Sequence, residues 1–301
     1  MRIEGLRRIA AGCLLLAGLG CAPQGALVCS AGPGRVLQGS DLPESSGAAW
    51  SRDDDAVFWT VNDGSEGILF AHDTTGAAVT RVETTGPRLR DVEDLATGPC
   101  GETTCLFLAD TGDNLERRET VALHRVEEPA LDRSEPVART RFPFRYPDGP
   151  RDVEATFVTA TGAVYLISKG RSAPPTVYRH PGPWIPDSVV TVELVQTLGT
   201  GTPSPRNQVT GATWVPGTDL VLVRTYASLI AYRLVGGRLT ALPDGELSLG
   251  PLQEPQGEAV AAGGLDRVLL TSEGGPFRRE SAMHLLGCEL PTQSSGDMLA
   301  N

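Results

Sequence analysis

Short apolar runs recur along the chain, separated by stretches rich in glycine, proline and polar residues. Each run has three or four residues with almost no polar interruption, as is typical of strands that are covered on both faces. The runs are residues 57–59, 106–108, 164–167, 220–223 and 268–270. No segment longer than ten residues combines a helical period with caps, so the pattern predicts an all-β protein.

A polar motif precedes each apolar run. The sequence Arg-Asp-Val-Glu occurs at residues 90–93 and again at 151–154, and weaker copies precede the other runs. Every copy contains two polar residues with one other residue between them. Residues at positions i and i+2 of a regular strand point to the same side. We therefore expect each pair to lie on one side of the first strand of a repeated unit. The pairs are Glu44/Ser46, Asp91/Glu93, Asp152/Glu154, Gln208/Thr210 and Gln256/Glu258.

The repeated unit contains four strands. A more alternating segment follows each apolar run, as at 120–126 and 229–234, and a weaker fourth segment follows, as at 189–194. Units of four strands that recur every 47–61 residues predict a β-propeller, here with five blades. A sixth blade would require divergent strands within the two longest spacings. The fifth unit has three clear strands, so we expect the segment around Val36 and Leu37 to supply its outer strand and close the ring.

The N-terminal residues predict export. Three arginines among the first eight residues precede an apolar stretch, and Cys21 follows Gly18-Leu19-Gly20. This is the layout of a secretory signal peptide, and the cysteine after small residues resembles a bacterial lipobox, although Gly18 stands where leucine is usual. In this interpretation Cys21 is lipidated and anchors the protein in the cell envelope, and the alternative is ordinary cleavage and secretion. We expect a signal peptide at 1–20, an anchor linker with the closing strand at 21–42, the propeller at 43–290 and a disordered tail at 291–301.

The remaining cysteines predict two disulfides. Outside the signal peptide and Cys21 the chain has four cysteines, and an even number in an exported protein favours disulfides. Cys100 and Cys105 flank a predicted hairpin tip and are the local choice among the three possible pairings. Cys29 and Cys288 then join the two ends of the propeller. Paired cysteines are not nucleophiles, so thiol catalysis is not expected.

The net charge limits the partners. The chain carries −11, and residues 1–20 contribute +2, so the remainder carries −13. An acidic surface disfavours nucleic acid and anionic membranes. We therefore expect no nucleic-acid partner and no membrane contact other than a lipid anchor. The expected protein is a monomer whose partner is a small molecule or a protein outside the cytoplasm.

Polar residues at the starts of first strands and at the ends of second strands are expected to meet. The second strand of a blade runs antiparallel to the first, so these positions share one mouth of the central channel. Lys169, the only lysine in the chain, is among them. The candidate site residues are Asn62, Asp63, Asp91, Glu93, Asp110, Asp113, Asp152, Glu154, Lys169, Gln208, Arg224, Glu258 and Glu273.

Crowded carboxylates repel one another, which raises some of their pKa values unless a cation or a base compensates. Lys169 and Arg224 can pair with them, calcium can bind their oxygens, or a protonated carboxyl can act as a general acid or base. The alternative is that these acids are solvated strand ends. Residues 110–114 lack the spacing of an EF-hand loop, so that specific calcium motif is not expected.

The histidines exclude some classes of enzyme. They are predicted on third strands or just after one, away from the mouth, at His72, His124, His180 and His284. A Ser-His-Asp triad or a histidine-rich zinc site is therefore not expected. No glycine-rich loop follows a strand and opens a helix, so a phosphate-binding loop of that type is not expected either.

Residues 46–129 carry a longer pattern. It consists of Ser-Gly-Ala-Ala at 46–49, Trp-Thr-Val-Asn-Asp at 59–63, Asp-Val-Glu-Asp-Leu-Ala at 91–96, Asp-Thr-Gly-Asp-Asn at 110–114, two arginines at 117–118 and Glu-Pro at 128–129. This pattern resembles a family of uncharacterised secreted bacterial β-propeller proteins, from which Val92 and Ala109 depart. The resemblance implies export and a propeller but no established activity. The layout is also distantly similar to calcium-dependent propeller hydrolases (lactonases and phosphotriesterases), whose metal sits at the channel mouth.

Three functions remain open from the sequence. The first is a binding module that presents the acidic mouth to an extracytoplasmic ligand. The second is a calcium-dependent hydrolase. The third is a scaffold without a site. The metal ligands of the hydrolase would be Glu93, Glu154 and Glu258 beside Asn62, Asp63 and Asp110.

Overall fold

Five mainly antiparallel sheets surround a central channel in the computed structural model, which describes residues 26–39, 41–275 and 280–290. The predicted signal peptide, Cys21 and the predicted tail lie outside the described residues. The described chain is a five-bladed β-propeller, as the repeat spacing predicts. Two short 3-10 helices, Pro205–Asn207 and Gly250–Leu252, are its only helical segments within these ranges. No helix in the described part of the chain has the length and apolar character needed to cross a membrane.

The strands follow the chain from blade to blade. Two N-terminal strands come first, β1 (Val28–Ala31) and β2 (Arg35–Val36). Blade 1 consists of β3 (Ser45–Trp50), β4 (Val57–Asn62), β5 (Ile68–Asp73) and β6 (Ala78–Thr85). Blade 2 consists of β7 (Val92–Cys100), β8 (Thr103–Asp110), β9 (Val121–Glu127) and, after the short β10 (Val137–Ala138), β11 (Thr140–Arg145).

The other three blades repeat this order. Blade 3 consists of β12 (Val153–Val158), β13 (Val164–Ser168), β14 (Thr176–Arg179) and, after the short β15 (Val190–Thr191), β16 (Glu193–Thr197). Blade 4 consists of β17 (Val209–Trp214), β18 (Leu220–Thr225), β19 (Ser228–Val235) and β20 (Arg238–Ser248). Blade 5 has β21 (Gln256–Ala262), β22 (Arg267–Glu273) and β23 (Ala282–Glu289). The innermost strands β3, β7, β12, β17 and β21 are neighbours around the channel.

The N-terminal segment closes the ring. Both β1 and β2 pair antiparallel with β23, so the outer edge of blade 5 is built from the start of the chain. Cys29 lies opposite Cys288 in this pairing and forms a disulfide with it. The second predicted disulfide, Cys100–Cys105, spans the β7–β8 hairpin. Ring closure and both pairings are confirmed, and the disulfides favour an oxidising compartment outside the cytoplasm.

The two longest repeat spacings contain short strands rather than a sixth blade. Strand β10 follows β9 of blade 2 but pairs in parallel with the outer strand β6 of blade 1. Strand β15 belongs to the blade 3 segment and pairs in parallel with the outer strand β11 of blade 2. Each long connection therefore reaches back over the preceding blade and adds a fifth strand to it.

The apolar runs pack between neighbouring blades. One cluster joins Trp59 and Leu69 of blade 1 to Leu106 and Leu108 of blade 2, and all four side chains are fully buried. The indole Nε1 of Trp59 donates a hydrogen bond to Glu128 Oε1 at 3.0 Å. Two residues of the pattern in 46–129 thus contact each other across the first blade interface.

A β-bulge interrupts every innermost strand at the same place. The pairing of the first and second strands skips one residue in four blades and two in blade 5, just after the strand begins. A bulge leaves the extra residue unpaired and changes the direction of its side chain. The skipped residues are Ser46, Glu93, Glu154, Thr210 and Glu258 with Ala259. The two side chains of the pairs Asp91/Glu93, Asp152/Glu154 and Gln256/Glu258 nevertheless lie together at the mouth, as expected. Strand alternation is not the cause, because the first member lies at or before the strand start and the second is bulged.

The channel is closed beyond the mouth. Side chains from all five innermost strands meet there and leave a void of about 10 Å³. That space is at the lower limit for one water molecule. A void of this size admits no ligand, so ligands do not pass through the channel.

Candidate functional site

The bulged residues divide into two groups by what their side chains do. In blades 1 and 4 they are hydroxyls: Ser46 Oγ donates to Glu93 O at 2.6 Å, and Thr210 Oγ1 donates to Glu258 O at 2.9 Å. Each hydroxyl thereby fastens its blade to the next. In blades 2, 3 and 5 the bulged residue is Glu93, Glu154 or Glu258, and all three side chains are buried at the mouth.

Asp63, Asp91 and Glu93 form one acidic triad. Each offers a carboxylate oxygen, and the three oxygens lie within 4.8 Å of one another. Asp63 follows β4 and Asp91 precedes β7, so the triad spans blades 1 and 2. Burial, and then the negative charges of Asp91 and Glu44, raise the pKa of Asp63 to about 7. Burial also raises the pKa of Asp91.

Glu93, Asp152 and Glu154 form a second triad with the same spacing. Here the protein supplies its own cations. Lys169 Nζ donates to Glu154 Oε1 at 2.6 Å, and Arg171 Nε donates to Asp152 Oδ2 at 2.8 Å. Burial alone would lower the pKa of Lys169, but the adjacent Glu154 carboxylate raises it above its ordinary value. The second triad is therefore partly neutralised by direct ion pairs, whereas among the described residues the first has only the more distant charge of Arg118.

Glu93 is the carboxylate that both triads share. Its side chain is buried, with the residue 7 % exposed, and no described residue donates a hydrogen bond to it or forms an ion pair with it. Burial and then the charge of Glu154 raise its pKa well above the ordinary value. A buried carboxylate without a partner is costly unless it binds a proton or a cation.

Gly112 leaves the space in which the first triad sits. A Cβ added at this position would overlap Glu93 Oε1 and the carboxylate of Asp91. The Gly112 amide donates to Asp91 O at 3.1 Å, so the backbone itself touches the base of the site. Only a residue without a side chain fits against these two carboxylates as they stand.

Asp110 and Asp113 brace the loop that carries Gly112. Arg118 Nη2 donates to Asp110 Oδ1 at 2.8 Å, and the Arg118 amide donates to Asp113 Oδ2 at 2.6 Å. Burial would raise the pKa of Asp110, but His124 and Arg118 together hold it below its ordinary value. His124 Nε2 lies 3.7 Å from Asp110 Oδ2. The expectation that all histidines lie away from the mouth is thus wrong for His124.

The side chain of Arg224 points away from the mouth and lies against blade 5. Its guanidinium is fully buried, donates to Ala259 O at 2.6 Å and to Thr271 O at 2.8 Å, and pairs with Glu254. A Cβ at Gly257 would overlap this guanidinium. Arg224 therefore joins two blades and is not a free cation of the mouth.

The remaining acids of blade 5 stay at the mouth. Gln256 Nε2 donates to Glu258 Oε1 at 2.8 Å, and burial raises the pKa of Glu258 against the opposing charge of Lys169. Burial and the Glu258 charge raise the pKa of Glu273 to about 8.

Asn62 and Gln208 are placed at the periphery. Asn62 Nδ2 donates to Asp41 O, and its Oδ1 accepts from the Glu44 amide at 3.2 Å, so its side chain faces the loop before β3. Gln208 lies just before β17 and is partly exposed. The inner site is therefore carried by the two triads together with Lys169, Glu258 and Glu273.

Four residues of this region were absent from the sequence-based candidates. Arg171 and Arg118 neutralise candidate acids, and Tyr226 has its ring 5.7 Å from Lys169 Nζ. Asp94 is fully buried, and its carboxylate accepts from the Leu95 amide at 2.8 Å and the Thr156 amide at 2.6 Å. A charged residue beside an apolar run is a signal for Asp94, but nothing in the sequence indicates that Tyr226 reaches Lys169.

Two open cavities flank the first triad. Asp63 borders a cavity of about 750 Å³ that is lined mainly by acidic and polar residues. Asp91 borders a cavity of about 580 Å³ whose wall includes Arg90, Arg117 and Arg118. Both volumes lie in the range of small-molecule sites.

The protein is thus a five-bladed β-propeller with a partly buried acidic cluster at one mouth of its channel. No family model and no curated protein sequence matches the chain. Among solved structures it is similar to a PQQ-bound aldose sugar dehydrogenase from Streptomyces coelicolor, at 11% identity and a TM-score of 0.48 over 89% of this chain and 100% of that chain. It is also similar to an inactive virginiamycin B lyase from Staphylococcus aureus, at 9% identity and a TM-score of 0.40 over 86% and 99%. At such low values neither likeness carries an activity, a cofactor or a ligand to this chain.

Proposed function

We propose that the protein is an exported binding module that holds a divalent cation on Asp63, Asp91 and Glu93. The observation that carries the proposal is the Glu93 carboxylate, which is buried, shared by both triads and without a partner among the described residues. A cation bound there compensates the desolvation of Glu93 and the repulsion within the triad.

Calcium is the cation whose chemistry fits these ligands. It prefers carboxylate and other oxygen ligands and takes six to eight of them in flexible geometries. The triads of the described residues contain carboxylates only, without the histidine or cysteine ligands that zinc prefers. Three carboxylates supply at most six oxygens, so coordination positions remain for water or for a ligand.

The ligand is a small molecule or a protein segment that carries an anionic group. Arg90 and Arg117 line the cavity beside Asp91 and are exposed to solvent. An anion in this cavity has two positive partners, the cation on the triad and the nearby guanidinium groups, which suit carboxylate and phosphate oxygens. This arrangement supports capture of an anionic ligand despite the net negative charge of the chain.

Export and anchoring belong to the same proposal. Two disulfides support an extracytoplasmic location, and the resemblance of residues 46–129 to secreted propeller proteins supports it further. Cys21 is the proposed lipidation site. Cys21→Ser is expected to move the protein from the membrane fraction to the soluble fraction, and continued retention in membranes would show that another feature anchors it.

Calorimetric titration with calcium tests the cation site. After treatment with a chelator, the wild-type protein is expected to bind calcium, and Glu93→Gln is expected to weaken binding by about tenfold or more because one charged ligand is lost. Glu102→Gln is the matched control, since Glu102 lies at the tip of the β7–β8 hairpin, away from the mouth. Equal affinity of Glu93→Gln and the control, or no binding by the wild type, would contradict the proposal and favour a scaffold.

A calcium-dependent hydrolase is the second candidate. The observation that favours it is Asp63, whose pKa of about 7 suits a general acid or base and which borders an open cavity. Purified protein is expected to hydrolyse a lactone or a phosphoester in calcium and to lose the activity with a chelator or with Asp63→Asn. Calcium binding without turnover of either substrate class would leave the binding module as the function.

A further inference from the structure

We infer that Lys169 is a built-in cation that fills the second of two adjoining cation positions, so that the mouth takes one divalent ion instead of two. The inference rests on the proposed function for the first position, Asp63–Asp91–Glu93. The second position is the triad Glu93–Asp152–Glu154. Removal of the Lys169 charge is expected to convert this triad into an open metal site.

The two positions are alike in their carboxylates. Each has three oxygens within 4.8 Å of one another, and they share Glu93. They differ in their cations: the second triad contains the Lys169 ammonium, 2.6 Å from Glu154 Oε1, and Arg171 pairs with its Asp152 from the exposed side. Both Lys169 and Glu154 are buried, so their attraction is screened little by water.

Lysine suits this place for a chemical reason. The chain has 26 lysines and arginines in total, and all of them except Lys169 are arginines. An ammonium is a compact point charge that resembles a small cation, whereas a guanidinium is a planar group with fixed donor directions. The larger Arg171 approaches the same triad only from its exposed side, where it pairs with Asp152.

The backbone fixes the Lys169 side chain in the mouth. Lys169 follows β13, its amide donates to Asp152 O at 2.9 Å, and its carbonyl accepts from the Val209 amide at 3.0 Å. The residue is therefore held between blades 3 and 4. The Tyr226 ring lies 5.7 Å from Nζ and limits where the ammonium can move. A second divalent ion would have to displace this ammonium.

The stoichiometry of calcium binding tests the inference. By titration calorimetry, the wild type is expected to bind one ion per chain and Lys169→Gln two, because glutamine removes the charge and offers an oxygen ligand. Arg206→Gln is the control for the net-charge change, since Arg206 is exposed in the 3-10 helix Pro205–Asn207. One ion bound by folded Lys169→Gln would overturn the inference.

Two variants in the wild-type background keep the test independent of how well Lys169→Gln folds. Glu154→Gln is expected to retain the single ion, because Glu154 is bonded to Lys169, whereas Asp63→Asn is expected to lose it. Loss of calcium from Glu154→Gln as complete as from Asp63→Asn would overturn the inference. If the wild type binds no calcium and Lys169→Gln binds one ion, the proposed function is refuted. The same result would support the role of Lys169 as a built-in cation.

Discussion

The carboxylates of the mouth behave differently although their side chains are the same. Asp110 has a guanidinium and an imidazole beside it, and its pKa lies below the ordinary value. Asp63 has burial and other acids around it, and its pKa rises to about 7. Neighbouring charge, rather than residue type, decides which acid needs an external cation.

The stability of the metal-free protein is expected to fall as pH rises from about 4 to about 7. An unfolded aspartate loses its proton near pH 4, whereas Asp63 holds its proton to about pH 7 in the folded state. Within that window the folded state binds more protons, so the free energy of unfolding decreases with pH. Thermal unfolding in a chelator checks this, with a smaller slope expected for Asp63→Asn. Calcium affinity is expected to increase over the same window because the ion needs the ionised carboxylate.

Gly112→Ala is expected to abolish calcium binding while the propeller remains folded. The added methyl group would overlap the Glu93 and Asp91 carboxylates, which are flexible ends and can be pushed apart. Circular dichroism should be close to that of the wild type, and calorimetry should show no saturable binding. Wild-type affinity in this variant would place the ion elsewhere.

The identity of many mouth residues could be predicted from the sequence, but their pairing could not. The repeat placed Glu93, Glu154 and Glu258 in register because strand order and direction bring equivalent positions together. The path of Arg224 into blade 5 depends on the absence of a side chain at Gly257, which is 33 residues away in sequence. The approach of Arg171 and Tyr226 depends on loop conformations that no periodicity encodes.

The β-bulge at the start of each innermost strand positions the side chains of the candidate site. In blades 1 and 4 a glycine follows the bulged hydroxyl, and the next blade packs directly against it: Gly47 lies on the backbone of Asp94 and Leu95. In blades 2 and 3 an aspartate or alanine follows a bulged glutamate. The same backbone irregularity therefore fastens blades where the residue is short and builds the site where it is acidic.

Gly47→Ala is expected to destabilise the propeller by about 1–3 kcal/mol, since overpacking against backbone is relieved only by movement of the blades. Gly201→Ala is the matched control, because a Cβ there meets nothing within 4 Å. Urea unfolding of both variants measures the difference. Equal denaturation midpoints would mean that the shift of blades 1 and 2 needed to accommodate the methyl group does not lower the stability.

The two-residue strands β10 and β15 could not be predicted from the hydrophobic pattern of the sequence. Strand existence was predictable where runs of three or four apolar residues recur once in each repeated unit. A pair of residues such as Val137–Ala138 has no measurable period, and its partner β6 belongs to another blade. Only the tertiary arrangement makes it a strand.

At the scale of the whole molecule, each blade contacts two neighbours, so the ring opens if the contacts at one position are lost. The joint in blade 5 differs from the others because its outer strands come from the opposite end of the chain. Hydrogen bonds of two short strands and one disulfide hold it.

Loss of the Cys29–Cys288 disulfide is expected to cost more stability than loss of Cys100–Cys105. The first bridges 259 positions and the second 5, which corresponds to about 5 and about 2 kcal/mol in the loop-entropy description. Paired Cys→Ser variants compared by denaturant midpoint measure this. A smaller loss for the Cys29/Cys288 pair would show that strand pairing alone keeps the ring closed.

Ring closure at the N-terminus also has a mechanical consequence. When the chain is held by residues that precede β1, a pulling force enters the propeller at β1 and passes at once to β23 through the covalent Cys29–Cys288 bond. Once the contacts of Leu27 and Val28 have given way, the load is carried by a sulfur–sulfur bond before the rest of the β1–β23 pairing is stretched. Under reducing conditions the same force would act on the four-residue strand β1 alone and peel the ring open from that end.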